Sequence, residues 1–81
     1  MCEAEARQAR SKRQKIVAAL EKDVIRLEEL QKSLAAKLED PETYKDAGKA
    51  VAINRELQQV VEDLALVTAE WEKAATQLAA L

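Results

Sequence analysis

The stretch AVAINRELQQVVEDLALVTAEWEKAATQLAAL, residues 50–81, decides the fold. Lettered as heptads with Ala50 at position a, it puts Ala50, Leu57, Leu64, Trp71 and Leu78 at a. Ile53, Val60, Val67, Ala74 and Leu81 then fall at d. All ten are apolar, in a chain that is 48% apolar. Chance gives that outcome roughly once in a thousand, so the pattern is a helical seam that must be buried against a second apolar surface.

Immediately upstream, residues 40–48 read DPETYKDAG and contain the only proline and the only glycine of the chain. Proline inside a helix removes a hydrogen bond and clashes with the preceding turn, so a helix arriving here must stop by Asp40. Asp40 can cap a new turn with Pro41 at its first position, and Glu42 sits well at the positive end of that turn. The segment is predicted to be a connector holding about one short helical turn.

Before the connector, Ile16, Leu20, Val24, Leu27, Leu30, Leu34 and Leu38 recur at spacings of three and four. With Leu27 at a, Arg13, Leu20 and Leu34 share that position, and Ile16, Asp23, Leu30 and Lys37 fall at d. Val24 and Leu38 lie one place beyond. Asp23 and Lys37 are expected at the edge of the seam, reaching water, Lys37 along its aliphatic stem. The alternative is that they select the register or meet a partner.

Two striped helices joined by a short connector bury their stripes by folding back on each other. The prediction is an all-α fold, an antiparallel two-helix coiled-coil hairpin with a short helical turn in the connector. Its helices cover about 10–39 and 49–80, with the connector at 40–48. Residues 1–9 are expected to be a frayed extension or residues foreign to the domain. Folding back about the connector pairs residues whose numbers sum to roughly 87. That places Leu57 near Leu30, Val60 near Leu27, Trp71 near Ile16 and Leu78 opposite Ala9. Glu28 with Lys32 and Glu3 with Arg7 are favourable i,i+4 pairs.

The composition excludes most chemistry. There is no His, which removes the usual general base and the commonest metal ligand. One glycine cannot furnish a phosphate loop, and the lone Cys2 cannot form an internal disulfide or a paired metal site. Cys2 is read as an unreactive terminal residue. No catalytic site, metal or cofactor is expected in this chain. No apolar run is long enough to span a membrane, and the charged N-terminus does not resemble a signal peptide. The expected compartment is the cytoplasm.

Net charge is only -2, but it is unevenly placed. Residues 1–15 carry Arg7, Arg10, Lys12, Arg13 and Lys15 against Glu3 and Glu5. On a helix, Arg7, Lys15, Lys12, Arg13 and Arg10 lie at about 0°, 80°, 140°, 240° and 300°, a collar around the axis. These five residues are the candidate nucleic-acid contacts, through salt-sensitive attraction to phosphates. No aromatic residue lies near enough in sequence to stack on a base, so sequence-specific readout is not expected. Of the two aromatics, Trp71 is assigned to the seam. Tyr44 is expected to pack over the hairpin tip and cap the seam, with a partner contact at the tip as the alternative.

The leucine-striped VIRLEELQKSLAAKLEDPETYKD and the later VEDLALVTAEWEKAATQL carry a resemblance. Leu27, Leu34 and Leu38, then Asp40-Pro41 with Tyr44, then a seam ending near Trp71, resemble the C-terminal domain of ABC-F family ATPases. That domain is the Uup-like coiled coil also called the ABC transporter C-terminal domain. The resemblance covers roughly residues 10–81. It implies a non-catalytic module that follows two ATP-binding cassettes in a soluble protein acting on ribosomes and translation. It also implies nucleic-acid contact, with ribosomal RNA or DNA. ATP and magnesium would belong to the cassettes, since their phosphate loop and signature motif have no counterpart here. The overall acidity departs from a dedicated DNA-binding domain, which is usually basic. Two rival readings stand beside it. One is the tRNA-contacting helical arm of valyl-tRNA synthetases, whose connector typically has an Asn-Glu-x-Phe stretch and an Ala-Pro step where this chain has DPETYKDAG. The other is a purely structural coiled coil that self-associates through exposed seam residues such as Val61.

Overall fold

The computed structural model describes residues 3–81, and Cys2 lies outside them. Helix α1 runs Glu3–Glu39, a 3-10 helix spans Pro41–Lys45, and α2 runs Ala47–Ala79. The two long helices pack antiparallel into a rod of 65 × 14 × 14 Å, the all-α hairpin expected from the sequence. Ala, Leu, Glu, Lys, Arg and Gln dominate both helices, and α1 contains neither Gly nor Pro, so nothing interrupts 37 residues of helix. It starts seven residues before the position near 10 expected from the sequence. Glu3 and Glu5 in its first turn favour the positive dipole end there, and Arg7 meets Glu3 at 3.4 Å.

The connector is a capping device. Asp40 Oδ1 accepts from the Glu42 backbone N–H at 3.0 Å and starts the 3-10 turn. That turn folds onto the end of α1. The Thr43 hydroxyl donates to the Lys37 carbonyl and the Tyr44 hydroxyl donates to the Leu38 carbonyl. Two of the carbonyls that a helix end leaves without partners are thereby satisfied. Thr43 is the buried member, at 4% exposure, although no sequence pattern singles it out. Tyr44 caps through its hydroxyl while its ring stays exposed. Asp46 is extended and accepts from Gly48 N and Lys49 N at 3.0 and 3.3 Å, which starts α2 two residues earlier than expected. Gly48 is thus a helical residue of the first turn, with no positive φ.

The core is the seam. Leu27, Leu34, Ile53 and Val60 form its buried centre, with Leu30, Leu38, Leu57, Leu64 and Val67 packed around them. Every a and d residue of α2 is buried or half-buried except Leu81. In α1 the second row differs from the expected one. Val17, Val24, Gln31 and Leu38 are half-buried, whereas Ile16 is 40% exposed and Asp23 and Lys37 are exposed. The inward row therefore lies one residue further along than Ile16, Asp23, Leu30 and Lys37. Asp23 and Lys37 lie outside the seam in water, and Asp23 approaches Arg26 at 3.9 Å. Glu28 and Lys32, expected as a pair, are not among the ion pairs of the described residues.

The pairing register also differs. Among the described residues, hydrogen bonds from Arg13 to Gln77 and from Arg10 to Leu81 cross between the long arms and join residues whose numbers sum to 90 and 91. Arginine side chains are long, and the seam residues that share a groove, Val24 with Trp71 and Leu27 with Val67, sum to 95 and 94, about two helical turns from the expected sum near 87. Trp71 thereby moves from Ile16 to the neighbourhood of Val24. The reason lies in the connector. The 3-10 turn is pinned to α1 by Thr43 and Tyr44 and prolongs the first arm, so the chain reverses at Asp46 and not at the middle of the connector.

Candidate nucleic-acid interface

All five candidate cations lie on the first four turns of α1, at the end of the rod away from the connector. No acidic residue occurs between Glu5 and Glu21, a helical length of about 22 Å. The neighbouring last turns of α2 add Glu72 and Lys73, which cancel. This end of the rod is its positive pole.

The collar is not uniform, because α2 covers one side of it. Arg13 occupies a seam position, is half-buried, and donates from Nη1 to Gln77 Oε1 at 2.8 Å. Arg10 lies about 60° around the helix from Arg13 and donates to the Leu81 carbonyl oxygen at 3.3 Å. Both guanidinium groups brace the open end of the hairpin. The other three turn outward. Lys12, Arg7 and Lys15 lie about 100°, 120° and 160° from Arg13 on the helical wheel, and all three are exposed. Arg7 shares its charge with Glu3 and, with Arg10 and Ala6, lines a shallow cleft of about 270 Å³.

Lys22 stands about 180° from Arg13, so it continues the outward row toward the middle of the rod. Arg26, at about 140°, approaches Asp23 at 3.9 Å and lines a groove with Asp63 and Glu70. A reading of the basic run alone ends at Lys15 and misses Lys22, which the seven-residue spacing from Lys15 finds. The available chemistry is long-range attraction and ion pairing with an anionic polymer. Trp71 and Tyr44 stand elsewhere, Trp71 in the groove with Val24 and Tyr44 at the tip, so no base-stacking platform accompanies the cations. No group of three or more His, Cys, Asp or Glu side chains is placed to hold a metal ion among the described residues. Among those residues, too, no helix is long and apolar enough to cross a membrane.

A family model described as the ABC transporter C-terminal domain matches residues 8–75, which include the connector, most of both helices and four of the five cations. No curated protein and no solved structure matches the chain significantly.

Proposed function

The chain belongs to the ABC transporter C-terminal domain family, and from that premise we propose that it is the non-catalytic C-terminal module of a soluble ABC-F ATP-binding protein. In this reading the hairpin contacts nucleic acid, ribosomal RNA or DNA, by electrostatic attraction at its open end. The cassettes of the parent protein supply ATP binding and hydrolysis with magnesium, in the cytoplasm. The observation that carries the reading is the outward group Arg7, Lys12 and Lys15 on a stretch of helix with no acidic residue from position 6 to position 20.

The mechanism divides labour among the five cations. Arg10 and Arg13 hold α1 to α2, so the end that meets the polymer keeps its shape. Lys12, Lys15 and Arg7 neutralise phosphates and release condensed counterions, which gives affinity without base recognition. The rod, 65 Å long, sets how far from the cassettes that contact is made.

The test is a salt titration of binding to a generic nucleic-acid duplex. Affinity should fall steeply with salt. Lys12→Glu with Lys15→Glu should make the log–log slope shallower by about 0.9 for each phosphate that the chain no longer neutralises. Binding that ignores salt, or a double variant indistinguishable from the parent chain, would sink the electrostatic reading.

A further inference from the structure

Ser11 is the first hydroxyl-bearing side chain of the sequence, and none follows it until Ser33. It stands in the middle of the basic run, with Arg7 four residues before it and Lys15 four residues after. On a helix those spacings put the two cations about 40° to either side of Ser11, each about 6 Å away along the axis. Ser11 lies about 160° around α1 from Arg13, on the side away from α2, and Arg7, Ser11 and Lys15 are all exposed. The hydroxyls of Thr43, Tyr44 and Thr76 are tied to backbone carbonyls, whereas that of Ser11 makes no hydrogen bond among the described residues. Ser33 is exposed too, but Glu29 holds the place that Arg7 holds before Ser11, so an added anion there meets repulsion.

An anion fixed at Ser11 completes a row. Glu3, Arg7, Ser11 and Lys15 follow one another at four-residue intervals, and Arg7 already meets Glu3 at 3.4 Å. A phosphate ester on the Ser11 oxygen carries a charge of about −1.5 to −2 and three acceptor oxygens. Helical neighbours four residues apart are within reach of each other. The phosphate therefore takes Arg7 and Lys15 into charge-assisted hydrogen bonds, and the signs along the row alternate. Residues 1–15 hold five basic and two acidic side chains, so the ester brings their net charge down to about +1. Of the outward cations Arg7, Lys12 and Lys15, only Lys12 stays free. From Glu3 to Lys12 only Ala9 is half-buried and the rest is exposed. A stretch with so little burial opens locally at small cost, as a kinase needs in order to seat a serine on an extended backbone. Basic residues on both sides of Ser11 complement a kinase whose peptide cleft is acidic.

We propose that Ser11 is a phosphorylation site for a protein kinase selective for basic flanks, and that its phosphate withdraws Arg7 and Lys15 from nucleic acid into pairs within α1. In the transfer, the Ser11 oxygen bonds to the γ-phosphorus of ATP and the bond from that phosphorus to the ADP oxygen breaks. The hydroxyl proton passes to the kinase's base, and ADP leaves. The consequence for binding rests on the nucleic-acid reading above, whereas the site and its two intrahelical pairs do not.

The chain is incubated with magnesium, ATP and a serine kinase of that class, and the product is mapped by mass spectrometry. One phosphate should appear on Ser11, and Ser11→Ala should abolish it. The phosphorus-31 resonance of the product is then followed against pH. Arg7 and Lys15 favour the dianion, so its transition should lie about half a pH unit below the ordinary value near 6. In Arg7→Gln with Lys15→Gln the transition should return to that value. Against a generic duplex at about 50 mM salt, the phosphorylated chain should bind at least about tenfold more weakly than the unmodified one, with a log–log salt slope shallower by about 1.8. No phosphate on Ser11, a transition that Arg7→Gln with Lys15→Gln leaves unmoved, or equal duplex affinity with and without the phosphate overturns the proposal. An unmodified chain that ignores the duplex refutes the nucleic-acid reading instead, and the phosphorus transition then decides by itself whether the Ser11 phosphate pairs with Arg7 and Lys15.

Discussion

Leu34→Ala tests the placement of the seam most directly. Leu34 is 2% exposed, the most deeply buried large side chain of the described residues, and it packs with Leu27, Ile53 and Val60. The substitution removes about three carbon groups, and at about 0.8 kcal/mol per buried methylene the transfer loss alone is about 2.4 kcal/mol. A cavity contribution is added where neighbours cannot close the gap, but a rod 14 Å across has no outer layer of protein to keep a void open. The expected total is therefore about 2.5–3.5 kcal/mol. For 81 residues the whole stability is on the order of 4–12 kcal/mol, so the variant loses a large part of it. Urea unfolding followed by circular dichroism at a helical wavelength should show the midpoint falling by about 3 M, taking a slope near 1 kcal/mol per molar for a domain this small. Ile16→Ala is the internal control. At 40% exposure the same number of carbons should cost only about 1.4 kcal/mol. A Leu34→Ala loss below about 1 kcal/mol, or an Ile16→Ala loss that equals it, would refute the inward row described for α1.

Two further outcomes follow from the ends of the rod. Asp46→Ala removes the acceptor for Gly48 N and Lys49 N and should cost about 1 kcal/mol, while Asp46→Asn should keep most of it, read by thermal unfolding. Arg13→Leu extends the apolar row of Leu20, Leu27 and Leu34 and should raise the melting temperature, by about 1 kcal/mol of stability at half-burial. The same variant should disturb duplex binding less than Lys12→Glu with Lys15→Glu, because Arg13 is a brace and the lysines face outward. A destabilised Arg13→Leu would mean that its bond to Gln77 outweighs apolar burial.

The candidate site was legible as a group and not as individuals. Charge run and helix are both local properties, so the positive pole near residues 7–15 could be read directly. Which of the five cations are free could not, because that depends on the side of α1 that α2 covers. Arg13 is the exception, since it shares position a with Leu20, Leu27 and Leu34, but the bracing by Arg10 emerges only from where the end of α2 lies. Thr43 was invisible for a similar reason. Its burial comes from the 3-10 turn folding onto α1, and a threonine between Glu and Tyr carries no pattern that announces this.

The sequence by itself determined the class of fold, the two helices and the single reversal. These follow from periodicity, propensity and the one proline, which act within a few residues. It also determined the α2 seam, where ten apolar positions in strict heptad order leave one answer. The tertiary structure alone decided the inward row of α1 and the register of the pairing. In α1 the adjacent rows Ile16, Asp23, Leu30, Lys37 and Val17, Val24, Gln31, Leu38 are each partly apolar, so neither wins on composition. The choice between them falls to contact with α2. That contact is set by where the chain turns, and the Thr43 and Tyr44 hydrogen bonds put the turn at Asp46.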